Sequence, residues 1–321
     1  VPWQVFFLGG LRISYQGQPL PALPFRCQAL LALLLLRPAQ TKREQLAGML
    51  FPDSPEDAAK ALGALYKYSH WLNREHLPPF ALKEDRATAA EVIRKCLAAG
   101  RTRLGEIDGL DLLKCYGFNT LPTKLAKDEA AAMQIAEEIG FPVVMKIVGP
   151  KILHKTDVGG VQLDLRDGPA VRTAYETMVA TVRSRLGNDV EIWGVLIQKM
   201  MDRGKEVILG VTRDKRFGPV LMVGLGGIYT EILKDVSFRL APIRENEADE
   251  MIREIRTIKL LQGARGEPPS DLGAVAECLL RLSEFVTDHP NIHELDVNPL
   301  LVYARGKGAV VADARIILST E

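Results

Sequence analysis

The run Phe141-Pro-Val-Val-Met-Lys-Ile-Val148 constrains the fold more than any other stretch of the chain. Its Val and Ile residues suit a strand in a buried sheet, and Lys146 sets one ammonium group at the edge of that sheet. Gly159 and Gly160 follow at a loop's distance, where a backbone without side chains can approach an anion closely and aim N–H groups at it. Between strand and glycine pair stands His154, whose imidazole can carry a phosphoryl group. The rival reading of Lys146 alone is an edge-strand lysine in water. The ordered set of lysine, histidine and glycine pair reads as parts for handling a phosphate.

A chain of 321 residues exceeds one ordinary domain, so two domains are expected, and an apolar fraction of 47% is enough for their cores. The net charge of +1, from 41 basic and 40 acidic residues, excludes a global attraction to nucleic acid or to an anionic membrane. Cys27, Cys96, Cys115 and Cys278 lie far apart without a C-x-x-C pair, which fits reduced thiols rather than disulfides or a zinc site. The one intense apolar run, residues 29–36, is closed by Arg37-Pro38 and falls short of the ~20 residues that span a bilayer. With no signal peptide before it, a cytoplasmic protein without membrane contact is expected.

Residues 1–80 read as two short strands, over 4–8 and 11–15, followed by three helices. The first helix covers 25–36; Thr41-Lys-Arg-Glu44 has the form of a capping box, and Ser54-Pro-Glu-Asp57 orders a cap, an N1 proline and an acidic first turn. Three helices after a hairpin predict a winged helix. Residues 81–104 form a linker whose helix is capped by Thr88-Ala-Ala-Glu91 and closed by Gly100. From 105 to 321 strands and helices alternate in an α/β pattern: a helix over 127–139, a strand over 142–148, a helix over 172–186 and a strand over 191–199.

Two resemblances follow from these motifs. The run around Lys146, with Gly204-Lys-Glu-Val-Ile-Leu-Gly-Val-Thr-Arg-Asp214, Phe217-Gly-Pro-Val-Leu-Met-Val-Gly-Leu-Gly-Gly227, Lys234-Asp-Val-Ser-Phe-Arg-Leu-Ala-Pro242 and Glu294-Leu-Asp-Val-Asn-Pro299, makes residues 105–321 resemble the ATP-grasp portion of ADP-forming acyl-CoA (acetate–CoA) synthetases. More distantly they are similar to the beta subunit of succinyl-CoA synthetase. The resemblance implies an α+β ATP-grasp domain of two lobes, ATP/ADP and Mg²⁺ as its cofactors, and a histidine that shuttles phosphate at the position of His154. It further implies that Gln198, Lys199 and Met200 form the hinge that receives adenine, with core packing the rival reading for Met200, and that Glu206 faces the nucleotide. Gly224-Leu-Gly-Gly227 would open a helix at Ile228-Tyr-Thr-Glu231 whose positive end faces an anion. At Ile107-Asp-Gly-Leu110 the chain departs from the family, which usually shows an alanine or serine followed by lysine. The second resemblance joins Leu46-Ala-Gly-Met-Leu-Phe-Pro-Asp-Ser54, and the apolar helix before it, to the winged-helix DNA-binding domain of bacterial transcriptional activators. Lys60, Lys67 and Arg74 share one face of its expected recognition helix, but three cations predict weak contact with DNA phosphates at best.

The C-terminal strands carry the metal argument. Alternation places Glu294, Asp296 and Asn298 on one face of one strand, and Val311, Asp313 and Arg315 on one face of the next. A two-residue turn at Arg305-Gly306 pairs positions whose numbers sum to 611 and sets Asn298 opposite Asp313. These two offer Mg²⁺ an amide oxygen and a carboxylate, jointly with nucleotide phosphates, and Asp296 is a third candidate. His154 needs a neutral imidazole to accept phosphate; Lys155 beside it disfavours protonation, and Asp157 stands near enough in sequence to orient the ring.

The expected function is an ATP-binding ligase module that exchanges phosphate between ATP and a histidine. No CoA-binding Rossmann fingerprint occurs in the sequence, so acyl-CoA synthesis implies a CoA-binding partner subunit. The alternative is a DNA-binding regulator whose ATP-grasp half senses nucleotide.

Overall fold

The structure is a computed structural model that describes residues 3–6, 12–15, 18–19, 85–150, 152, 155–202, 204–227, 234–264 and 266–320. The chain divides into two compact units, Val1–His76 and Leu77–Glu321. In the first, β1 (Trp3–Phe6), β2 (Arg12–Tyr15) and β3 (Gln18–Pro19) make an antiparallel sheet in which Trp3 pairs with Tyr15 and Ser14 with Pro19. The three helices expected over residues 25–80, with Lys60, Lys67 and Arg74, lie outside the described residues.

The second unit holds two antiparallel sheets. The small one has the order β5-β8-β6-β7, built from β5 (Thr123–Ala126), β6 (Val143–Val148), β7 (Val161–Leu165) and β8 (Gly194–Lys199). The large one runs β11-β10-β9-β12-β14-β4, from β4 (Arg103–Leu104), β9 (Lys205–Asp214), β10 (Gly218–Leu225), β11 (Val236–Leu240), β12 (Ile292–Val302) and β14 (Ala314–Leu318), with β13 (Ala309–Val311) paired to β12. Each sheet has its own core. Ala132, Ala136, Val143, Met145, Ile147, Val171, Met178 and Ile197 pack the small one, and Leu112, Leu209, Leu221, Leu279, Phe285, Leu295 and Ile316 belong to the large one.

Helices cover one face of each sheet, and their ends follow from capping chemistry. On the small sheet, α3 (Glu129–Ile139) starts at Asp128, whose carboxylate accepts from the Ala131 amide at 2.8 Å, and α4 (Gly168–Leu186) starts at Asp167 in the same way. Both end at a glycine of positive φ, Gly140 and Gly187, where only a residue without Cβ turns freely out of the helix. On the large sheet lie α5 (Glu245–Glu254) and α6 (Leu272–Asp288). Two further helices precede the small sheet in the chain, α1 (Arg86–Ala98) and α2 (Glu106–Cys115). The cap of α1 is Asp85, not Thr88: the Thr88 amide donates to Asp85 Oδ1 at 3.0 Å, so the helix begins two residues before Thr88. Ala89, Ile93 and Cys96 of α1 belong to the large core, so the expected linker helix is packed as part of the second unit. Cys96, Cys115 and Cys278 are free thiols, and no described helix is long and apolar enough to cross a membrane.

Candidate functional site

Lys146 stands on β6 with its side chain 13% exposed, and its ammonium group meets three groups from the other sheet's side of the unit. It donates to Glu106 Oε1 at 2.6 Å, lies 3.9 Å from Asp313 Oδ2, and reaches the Ala312 carbonyl at 3.5 Å. Glu106 is the first residue of α2; its other oxygen, Oε2, accepts from Lys155 Nζ at 3.0 Å. Gln198 of β8 adds a second tie, donating to the Ala312 carbonyl and to Thr123 Oγ1, both at 2.9 Å. Two lysines and a glutamine from the small-sheet side thus converge with a glutamate and an aspartate from the large-sheet side. Burial first, and the Glu106 charge second, push the Asp313 carboxyl up to about 6 against the opposing pull of Lys146 and Lys155.

The hairpin that carries Asp313 has the register a turn at Arg305-Gly306 requires. Pairs Val302 with Ala309, Leu300 with Val311, Val297 with Ala314 and Asp296 with Arg315 all sum to 611, and the Asn298 amide donates to the Asp313 carbonyl at 3.1 Å. The Lys307 amide closes the turn on the Ala304 carbonyl at 2.9 Å. Asn298 is exposed and Asp296 half-buried. Burial raises the Asp296 carboxyl, with Arg315 across the strand opposing. Among the described residues no three His, Cys, Asp or Glu side chains gather as a ready metal site.

The glycine pair does not present its amides to an anion. The Gly159 N–H donates to the Thr156 carbonyl at 3.1 Å and the Gly160 N–H to the Lys155 carbonyl at 2.7 Å, closing a turn instead. Gly159, with φ of 74°, and Gly160, packed on Ile147, serve that turn, which holds Lys155 beside β6. At the expected hinge, the Lys199 and Met200 amides donate to the carbonyls of Pro122 and Pro142, each at 3.1 Å, so these two N–H groups already have partners. The Lys199 ammonium group caps the end of α3 through the carbonyls of Gly140 and Phe141 at 2.8 and 2.9 Å. Glu206 is exposed at the start of β9, and its carbonyl accepts from the Gly226 amide at 2.7 Å. His154, and the helix expected at 228–231, lie outside the described residues.

Sequence reasoning missed Glu106 and left Asp235 and Arg239 without roles. Asp235 accepts from the amides of Arg256 and Thr257 and from the Thr257 hydroxyl, fixing a short 3-10 helix, Arg256–Leu260. Arg239 pairs with Glu254 at 2.5 Å. Both side chains are thus engaged within the protein. Within Ile107-Asp-Gly-Leu110, the stretch that departs from the family pattern, Leu110 is buried in the large core at 1% exposure.

A two-lobed unit whose cations and carboxylates meet between an antiparallel small sheet and a larger one defines a nucleotide-grasping class of fold, and the comparisons agree. Residues 95–318 match the ATP-grasp domain family, and the chain belongs to that family. It is 47% identical over 231 residues to the beta subunit of an acetate–CoA ligase [ADP-forming] II of Pyrococcus furiosus, covering 72% of this chain and 98% of that one. It is 43% identical over 289 residues to a 4-hydroxybutyrate–CoA ligase [ADP-forming] of Nitrosopumilus maritimus, covering 89% of this chain but only 41% of that protein. That match is longer than the second unit, so it reaches back into the first. Among solved structures, an acetyl-coenzyme A synthetase 1 of Ca. Korarchaeum cryptofilum, in complex with coenzyme A and Mg-AMPPCP and with its phosphohistidine segment pointing towards the nucleotide binding site, superposes with a TM-score of 0.63 at 38% identity. It covers 72% of this chain and all of that one. These matches lend the DNA-binding regulator no support.

Proposed function

We propose that the chain is the nucleotide-binding module of an ADP-forming acyl-CoA ligase, working with a CoA-binding partner in the reaction acid + ATP + CoA → acyl-CoA + ADP + phosphate. The observation that carries this is the approach of Lys146, from the small sheet, to Asp313, from the hairpin of the large one, at 3.9 Å. A cation and a metal-type ligand side by side are what a metal-bound phosphate needs. The naming of the curated relatives as ADP-forming CoA ligases supports the reaction class, and the subunit beta relative supports the partner.

Lys146 and Lys155 take phosphate oxygens as compact point charges. Asp313, with the Asn298 amide oxygen, is the place for Mg²⁺, and the donor set fits: a carboxyl raised to about 6 by burial and a neighbouring carboxylate is relieved by a divalent cation. Asp296 is the further candidate on the same strand. Magnesium, when bound, neutralises charge on the phosphates. At Lys199 and Met200 the backbone carbonyls and the methionine side chain receive adenine, because the amides of these two residues are engaged within the protein, while Gln198, buried and bonded to Ala312 and Thr123, supports them from within β8. Glu206 borders the site, and Gly159 and Gly160 keep the Lys155 turn against it. His154 accepts the γ-phosphoryl group on a neutral ring nitrogen as the bond to ADP breaks, and the phosphohistidine segment of the Korarchaeum protein supports that role.

Calorimetric titration with ATP, with and without Mg²⁺, tests the reading. The wild-type chain binds ATP more tightly with magnesium, and joint substitution Asn298→Ala with Asp313→Ala removes that dependence. An unchanged magnesium effect in the double variant places the metal elsewhere.

A further inference from the structure

Glu106 is the most deeply buried charge of the cluster, its side chain 4% exposed against 13% for Lys146, 24% for Lys155 and 37% for Asp313. A buried ion pair is a weak source of stability, since loss of hydration offsets most of the Coulomb attraction. The geometry gives this carboxylate another use. One oxygen holds Lys146, from β6, and the other holds Lys155, from the turn after it, so a single rigid group at the start of α2 fixes two cations from separate segments. With Asp313 the four side chains carry two positive and two negative charges, and the cradle is neutral when all are ionised.

We propose that Glu106 sets the magnesium requirement of the site: it positions both ammonium groups, and its charge keeps the cradle neutral, so that a triphosphate is held well only when it arrives with a divalent cation. The inference rests on the nucleotide reading above. Its physics is Coulombic. Neutralising Glu106 leaves one net positive charge, which attracts metal-free ATP, the more highly charged form, more than it attracts MgATP. Glu106 is a specificity and positioning residue that need not touch the nucleotide.

The test uses the full chain at pH 8. Titration with ATP in chelator and with MgATP gives the magnesium preference as a ratio of dissociation constants; in Glu106→Gln this ratio falls about tenfold, chiefly by tighter metal-free binding. Acylation of Lys146 and Lys155 by an amine-reactive ester, read by mass spectrometry without nucleotide, speeds up severalfold as the ammonium groups lose their holder. Glu106→Asp keeps the charge on a shorter arm, so it keeps the magnesium preference while the lysines still acylate faster, and it stands in should the glutamine variant not fold. Glu129→Gln, which breaks a surface ion pair with Arg172, changes neither readout. An unchanged preference in Glu106→Gln, or unchanged lysine acylation in both Glu106 variants, overturns the proposal. A wild-type chain that binds no form of ATP instead overturns the nucleotide reading, and the acylation rates then still decide whether Glu106 holds the lysines.

Discussion

Gly160 sits where an added methyl group would stand 2.4 Å from Ile147 Cγ2 and 3.0 Å from the Lys155 carbonyl oxygen. Gly160→Ala therefore forces apart the turn that holds Lys155, at a cost of about 1–3 kcal/mol, measured as a lower midpoint in urea unfolding. A midpoint equal to wild type contradicts the packing. The residue scale also shows what kind of information a sequence holds. Lys146 and Asp313 were legible because a charged residue inside an apolar alternating run is exceptional. Glu106 was not, because an acidic residue in the first turn of a helix is ordinary and its burial comes from the packing of α2. The glycine pair was legible as a special backbone site, but its amides bond within the turn, a matter of local geometry that residue type does not fix.

Among the elements, the β12–β13–β14 hairpin depends most visibly on one side chain outside it. Asp271 caps α6 through Oδ1 to the Ala274 amide at 3.2 Å, while its Oδ2 accepts from the amides of Gly306 and Gly308 at 2.9 and 3.0 Å. Asp271→Ala removes the cap and both turn bonds together. A loss of about 1–2 kcal/mol in unfolding free energy is expected, with faster hydrogen exchange at Gly306 and Gly308. Unchanged exchange there contradicts the linkage. At the far end of α6, the Tyr116 hydroxyl donates to Asp288 at 2.8 Å and lies 3.0 Å from His289 Nε2. Burial lowers the His289 pKa, against an opposing pull from Asp288 and with a smaller push from Arg86. The unfolded chain therefore binds the proton first on acidification: this stability is present above about pH 6.5 and is lost as pH falls from there through the folded value. Urea unfolding at pH 8 and 5.5 checks it, since His289→Gln flattens the slope; identical slopes contradict it. The hairpin register was readable from alternation plus one turn dipeptide, both local. The cap of α1 lies three residues before the one that the capping-box pattern predicts, because Asp85 competes with Thr88 for the same role.

At the scale of the whole molecule, the sheet topology could not come from motif reading alone. The alternation of strands and helices suggested an α/β arrangement, yet both sheets of the second unit are antiparallel, because the strands that a helix connects, β5 with β6 and β7 with β8, are not neighbours: an antiparallel strand lies between the members of each pair. The chain also corresponds to almost the whole of a beta subunit but to 41% of a single-chain ligase, which agrees with the CoA-binding partner proposed above. The central claim is that His154 carries phosphate between ATP and that partner. Incubation of the chain with γ-labelled ATP, Mg²⁺ and a CoA-binding partner subunit tests it most directly. The account predicts acid-labile, base-stable label on this chain, abolished by His154→Ala while ATP affinity stays within about tenfold, roughly 1.4 kcal/mol. Acyl-CoA synthesis that persists in the His154→Ala protein with a competent partner would contradict it.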